Sequence, residues 1–192
     1  MTPINIIRWI AIVSFTVIWI GDPAASAENA KKHQLERIMA EIALLNNQLI
    51  QRKTDAVETR GKLAHNLETI RKEALSEIGK KSIRDESEAL STPRIHYDLI
   101  LMAEIQAYMD RYTRKINYYR IACDRLAYLY QQADDDLKIV NTLSDIRIDA
   151  LMAQVEKVMD GYLNDAQTII VQPDTLSMKS PEAVWNTLKS SM

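Results

Sequence analysis

Ile105 to Val140 reads IQAYMDRYTRKINYYRIACDRLAYLYQQADDDLKIV, and the spacing of its apolar residues decides the fold. Ile105, Met109, Tyr112, Ile116, Tyr119, Cys123, Leu126, Tyr130, Ala133, Leu137 and Val140 are separated by steps that alternate four and three. A helix turns once in about 3.6 residues, so this alternation holds them all on one narrow stripe, the seam along which two helices pack. Strands alternate with period two and cannot produce it.

Downstream, no Gly or Pro interrupts the chain before Gly161, although the phase shifts after Ser144 and resumes as Ile148, Met152, Val155, Met159 and Tyr162. The spacing predicts one helix from Pro93 of about 70 residues, with a stutter after Ser144. The alternative is a break at Asp134-Asp135-Asp136, because acidic residues suit the first turn of a new helix; that break gives a three-helix bundle.

Upstream, Thr92-Pro93 reads as N-cap and first helical residue, and the polar run before it, residues 79–93, as the turn. Before the turn, Leu35, Ile38, Ile42, Leu45 and Leu49 make another seam, which slips near Gly61 and resumes as Leu63, Leu67, Ile70, Ala74 and Ile78. This predicts a first helix over Ala30–Ile78, with Gly79 as its C′ residue and Lys80 and Lys81 at the negative end of the helix dipole. Glu58 with Lys62, and Glu68 with Lys72, sit four apart in the favourable order. A short polar turn between long helices folds them antiparallel. The expected fold is therefore all-α: an elongated antiparallel helical hairpin over 28–166, with a distinct tail over 167–192.

Two such helices would differ in length by about 30 Å, leaving part of the second without a mate. The second helix also carries another stripe, Tyr118, Ile121, Arg125 and Tyr128, away from the seam. A two-helix hairpin covers one stripe only. The surplus predicts a protein partner, a homo-oligomer, or a third helix folding back.

The ends of the chain differ from its middle. Residues 1–27 carry Arg8, an uncharged run from Trp9 to Gly21, the helix breaker Pro23 and the small triplet Ala25-Ser26-Ala27, which is the layout of a secretory signal peptide. The apolar run spans roughly 20 Å as a helix, short of a bilayer core of about 30 Å. The expected location is exported and periplasmic. The alternative is an uncleaved inner-membrane anchor over residues 3–21. The only Phe, Phe15, lies in this segment, so residues 28–192 have no Phe for a large globular core. In the tail, Thr168–Val171 is a β-prone run and Pro173-Asp174 a breaker. Ser180-Pro181-Glu182 then starts a short helix over 181–190. Val184, Trp185 and Leu188 share one face of it, so Trp185 anchors the tail on the bundle or on a partner groove.

Charge and chemistry narrow the function. Lys and Arg number 24 against 26 Asp and Glu, so any basic patch is local. Arg111, Arg114 and Lys115, with Arg120 and Arg125, interleave with tyrosines as in single-strand nucleic-acid surfaces. Tyr112 and Tyr119 lie on the seam, however, and an exported protein rarely meets nucleic acid, so the expectation is a solvated basic face whose ligand, if any, is an anionic envelope polymer, lipid headgroups or an acidic partner. The acidic triplet lacks the alternating ligands and central Gly of a calcium loop. His65 and Glu68 do not form a paired di-metal motif, and a single Cys excludes an internal disulfide and haem attachment. Cys123 reads as a packed thiol, or as a bridge between two copies. No nucleophile, base and orienter occur together. No metal, cofactor or enzymatic activity is expected. The leading expectation is a non-enzymatic interaction or scaffold protein of the cell envelope; the alternatives are an anionic-polymer-binding module and a holdase chaperone.

Overall fold

A computed structural model describes residues 23–171 and 178–190, with side chains placed for 26–161 and 178–190. The signal-like run up to residue 22 and the Pro173-Asp174 breaker lie outside the described residues. Among the described residues, five α-helices follow one another: α1 (Pro23–Lys81), α2 (Glu86–Ser91), α3 (Pro93–Lys138), α4 (Asp145–Val171) and α5 (Pro181–Lys189). The antiparallel pairing of α1 with α3 is the spine of the fold, as the seams predict.

α1 is 59 residues long, about 90 Å, and passes through Gly61 without interruption. The pairs Glu58–Lys62 (2.6 Å) and Glu68–Lys72 (3.8 Å) form on its solvent side. Its end differs from expectation. Gly79 remains helical, and the left-handed residue is Ser82, with φ of 54°. The Ile83 N–H donates to the Ile78 carbonyl at 3.1 Å and the Ser82 N–H to that of Gly79 at 3.3 Å, the two bonds of a Schellman stop. Ile78 and Ile83 are both buried and supply the hydrophobic contact that accompanies this stop. The position of that contact sets where the helix ends, and Ser82 takes the strained conformation that glycine adopts more cheaply.

Asp85 caps α2 by accepting from the Glu88 N–H at 2.8 Å, while Glu88 accepts from the Arg84 N–H at 3.3 Å. Thr92 precedes Pro93 as expected, but its hydroxyl donates back to the Glu88 carbonyl at 2.9 Å and does not cap α3.

The expected 70-residue second helix is corrected by the structure. α3 stops at Lys138, a 3-10 turn covers Val140–Thr142, and α4 begins at Asp145 and returns along the hairpin. The break falls just after the acidic triplet, so the three-helix alternative holds with its boundary displaced. β-Branched Ile139, Val140 and Thr142 beside Asn141 weaken the helix locally. Tertiary contacts then fix the reversal. Lys31 of α1 donates to the Leu143 carbonyl at 2.6 Å and pairs with Asp145 at 3.3 Å. The shift of phase after Ser144 marks this reversal and not a stutter. The tail is corrected too, because Thr168–Val171 closes α4 as helix.

Two cores result. The first joins the early part of α1 (Leu35 to Ala56), the end of α3 (Tyr119 to Ala133) and α4 (Ile148 to Val158). The second joins Ala74, Ile78 and Ile83 to Ala89, to Ile95 through Ala103 of α3, and to Val184, Trp185 and Leu188 of α5. Between them, α1 has no fully buried side chain from Val57 to Glu73. Among the described residues no helix is long and apolar enough to cross a membrane.

Candidate functional site

α3 carries more than one partner, and that determines which of its side chains remain outside. Over residues 119–136 its buried set, Tyr119, Ala122, Leu126, Leu129, Ala133 and Asp136, still steps by three and four. Ala122, Leu129 and Asp136 each sit one residue before the seam residues Cys123, Tyr130 and Leu137. The return of α4 recruits these neighbours and rotates the buried wedge away from the single-partner seam. Tyr130 is left 41% exposed, and Cys123 is half-buried, its thiol pushed up by burial.

The second stripe stays in solvent beside α4. Ile121 is 45% and Tyr128 53% exposed, Arg125 is exposed, and Tyr118 is half-buried. These side chains are held in place. The Arg125 guanidinium lies 5.3 Å from the centre of the Tyr128 ring and donates to Gln154 Oε1 of α4 at 3.0 Å. Gln132 donates to the Tyr128 hydroxyl at 3.0 Å. At the same end of the bundle Ile139 is exposed and Ile146 is 81% exposed. The sequence reading missed both, since each sits at a helix boundary it did not place.

The expected basic face is not continuous, which corrects the sequence reading. Arg111 is buried, only 5% exposed, with its guanidinium 5.1 Å from the Tyr108 ring centre. Lys115 is half-buried and turns toward α1, its ammonium 5.6 Å from the Tyr119 ring centre. Burial, and then the positive charge of Arg52, push the Lys115 pKa down. Arg114 is exposed on another side. Of the two anchorages expected for Trp185, the structure shows the one on the bundle: it is 1% exposed inside the second core, so the docked tail does not offer it to a partner.

Three polar features were not legible. Asp136, 2% exposed, accepts from Arg147 Nη2 at 2.7 Å and from Nε at 2.8 and 2.9 Å. This two-pronged pair ties the end of α3 to the start of α4 across the turn. Asp136 continues the Ala122, Leu129 phase, which is the signal that identifies it as buried. Its neighbours Asp134 and Asp135 pair with Lys138 at 2.9 and 3.0 Å, in keeping with a role in holding the helix end. Asp98 is buried in α3 with one carboxylate oxygen unbonded, and burial pushes its pKa up against the opposing charge of Arg94. The third is a cleft of about 320 Å³ between α1 and α3, lined by Arg52, Asp55, Thr59, Tyr112, Lys115 and Tyr119.

The class defined by these features is an elongated all-α helical bundle with an ordered, partly apolar outer face. Comparison with known protein families, with curated proteins and with solved structures gives no match.

Proposed function

We propose that the protein is an exported, non-enzymatic helical interaction protein. Its working surface is the outer face of α3 beside α4, engaging a second copy or a subunit of an envelope assembly. The observation that carries this reading is that Ile121 and Tyr128 stand about half exposed, seven residues apart on one face, while Arg125, Gln132 and Gln154 hold the polar groups around them. Ordering entropy opposes association, and side chains fixed beforehand lose less of it. The signal-like segment supports export. An anionic-polymer track has less support, because Arg111 is buried and Arg125 is bonded to Gln154.

The test is the mass of the native complex after crosslinking in the envelope, compared with Ile121→Asp and Tyr128→Asp variants. Each should reduce the complex at least about tenfold with helix content unchanged, whereas Leu126→Asp, which buries a charge in the first core, should lower helix content. High salt should leave the association intact, since apolar contact is not screened. An Ile121→Asp protein that assembles like the original would refute the reading.

A further inference from the structure

Arg52 on α1 and Lys115 on α3 face the same cleft, at the boundary between the first core and the thinner waist of the bundle. We propose that this cleft binds a tetrahedral dianion, the phosphate group of a small phosphate monoester. The site is distinct from the outer face of α3 and does not depend on its role. The cleft holds about 320 Å³, enough for a phosphate and a ring-sized substituent, and is walled by Tyr112 and Tyr119 from α3 and by Thr59 and Ala56 from α1.

The charges within it are unbalanced. Besides burial, the influence on Lys115 is the like charge of Arg52, which favours losing the lysine proton. Two cations drawn from different helices into one recess repel each other, and a dianion between them would reverse that cost. The single acid of the lining, Asp55, accepts from Gln51 Nε2 at 2.9 Å and keeps its charge, so the lining holds two cations against one anion. The Thr59 hydroxyl donates to the Asp55 carbonyl at 2.8 Å, so it is not a donor for the ligand. The available donors are therefore the ammonium of Lys115, the guanidinium N–H groups of Arg52 and the Tyr112 hydroxyl. Arg52 supplies a planar fork suited to two phosphate oxygens, and Lys115 a point charge for a third. Lys115 is positioned in advance, since its ammonium lies over the face of the Tyr119 ring, 5.6 Å from its centre. Tyr119 itself is buried in the first core, which makes it a rigid post between the two cations.

The experiment is calorimetric titration of the exported chain with phenyl phosphate and, separately, with inorganic phosphate at low ionic strength. One site per chain is expected. Arg52→Gln and Lys115→Gln should each weaken it about tenfold, the loss of one charge-assisted contact, while Lys72→Gln on the distant solvent face of α1 leaves it unchanged. Circular dichroism of each variant should match the original. Tighter binding of phenyl phosphate identifies an ester whose substituent contacts the tyrosines; equal affinity identifies the free ion. Absence of binding by both probes, or equal weakening by Lys72→Gln, would overturn the assignment.

Discussion

The two ends of the bundle solve one packing problem in different ways. At both, α1 and α3 present more apolar surface than a two-helix contact covers. At the first core the cover is α4, a 27-residue helix joined to α3 by a tight turn. Its position is secured by polar clamps, Asp136 to Arg147 and Lys31 to Leu143 and Asp145. At the second core the cover is α5, nine residues long, and one large side chain, Trp185, supplies most of the bulk, with the Ile78–Ile83 stop and Ala89 completing the layer. A long helix spreads burial over many small contacts. A short one concentrates it in a single anchor, so the second end should be much more sensitive to one substitution.

Trp185→Ala tests that difference at its largest. Removing a fully buried Trp side chain should cost about 3–5 kcal/mol of local stability. Hydrogen exchange should then accelerate in α5, α2 and the start of α3 while the first core keeps its protection. Uniform loss of protection would mean that the two cores melt as one unit. Arg147→Ala addresses the clamp at the other end. It leaves Asp136 buried and unpaired at the negative end of α3, and a lower midpoint in urea unfolding is expected, with a smaller loss than for a fully buried pair because Arg147 is itself largely solvated. An unchanged midpoint would show that water replaces the arginine.

Asp98→Asn carries the smallest effect and the opposite sign. Because the folded state raises this pKa, its contribution to stability is complete below the ordinary carboxyl value and is lost as pH rises through the raised one. The Asn variant should therefore gain on the order of 1 kcal/mol near pH 7, and the gain should fade on acidification. A gain of equal size at pH 3 and pH 7 would assign it to packing and not to the carboxyl proton.

The residues themselves explain which parts were legible. Seams at Leu35 to Leu49 and Tyr119 to Ala133 follow from helical geometry alone, so the hairpin and its direction could be read directly. The Ser180-Pro181 start of α5 is equally local, and Ser180 caps it, accepting from the Ala183 N–H at 3.4 Å. The reversal at 139–144 lacks Gly and Pro, and its main sign, a phase shift after Ser144, has two meanings that local geometry does not separate. The outer stripe Tyr118, Ile121, Arg125 and Tyr128 could be named from spacing, although its neighbour Gln154 comes from a helix whose return was not placed. Arg111 and Lys115 were grouped by closeness in sequence, yet four residues apart on a helix with several partners they meet different surroundings: one is sealed inside, the other borders the cleft with Arg52.

Sequence alone determined that this chain forms long amphipathic helices, that two of them pair antiparallel, and that more apolar surface exists than two helices can hide. These are properties of spacing, which every residue carries with it along the helix. Tertiary structure decided where α3 ends, that α4 and α5 cover different ends, which arginine is buried, and that Arg52 meets Lys115 across a recess. Each of those outcomes depends on groups far apart in the chain arriving at the same place, and the free energy of their contact exists only after they have met.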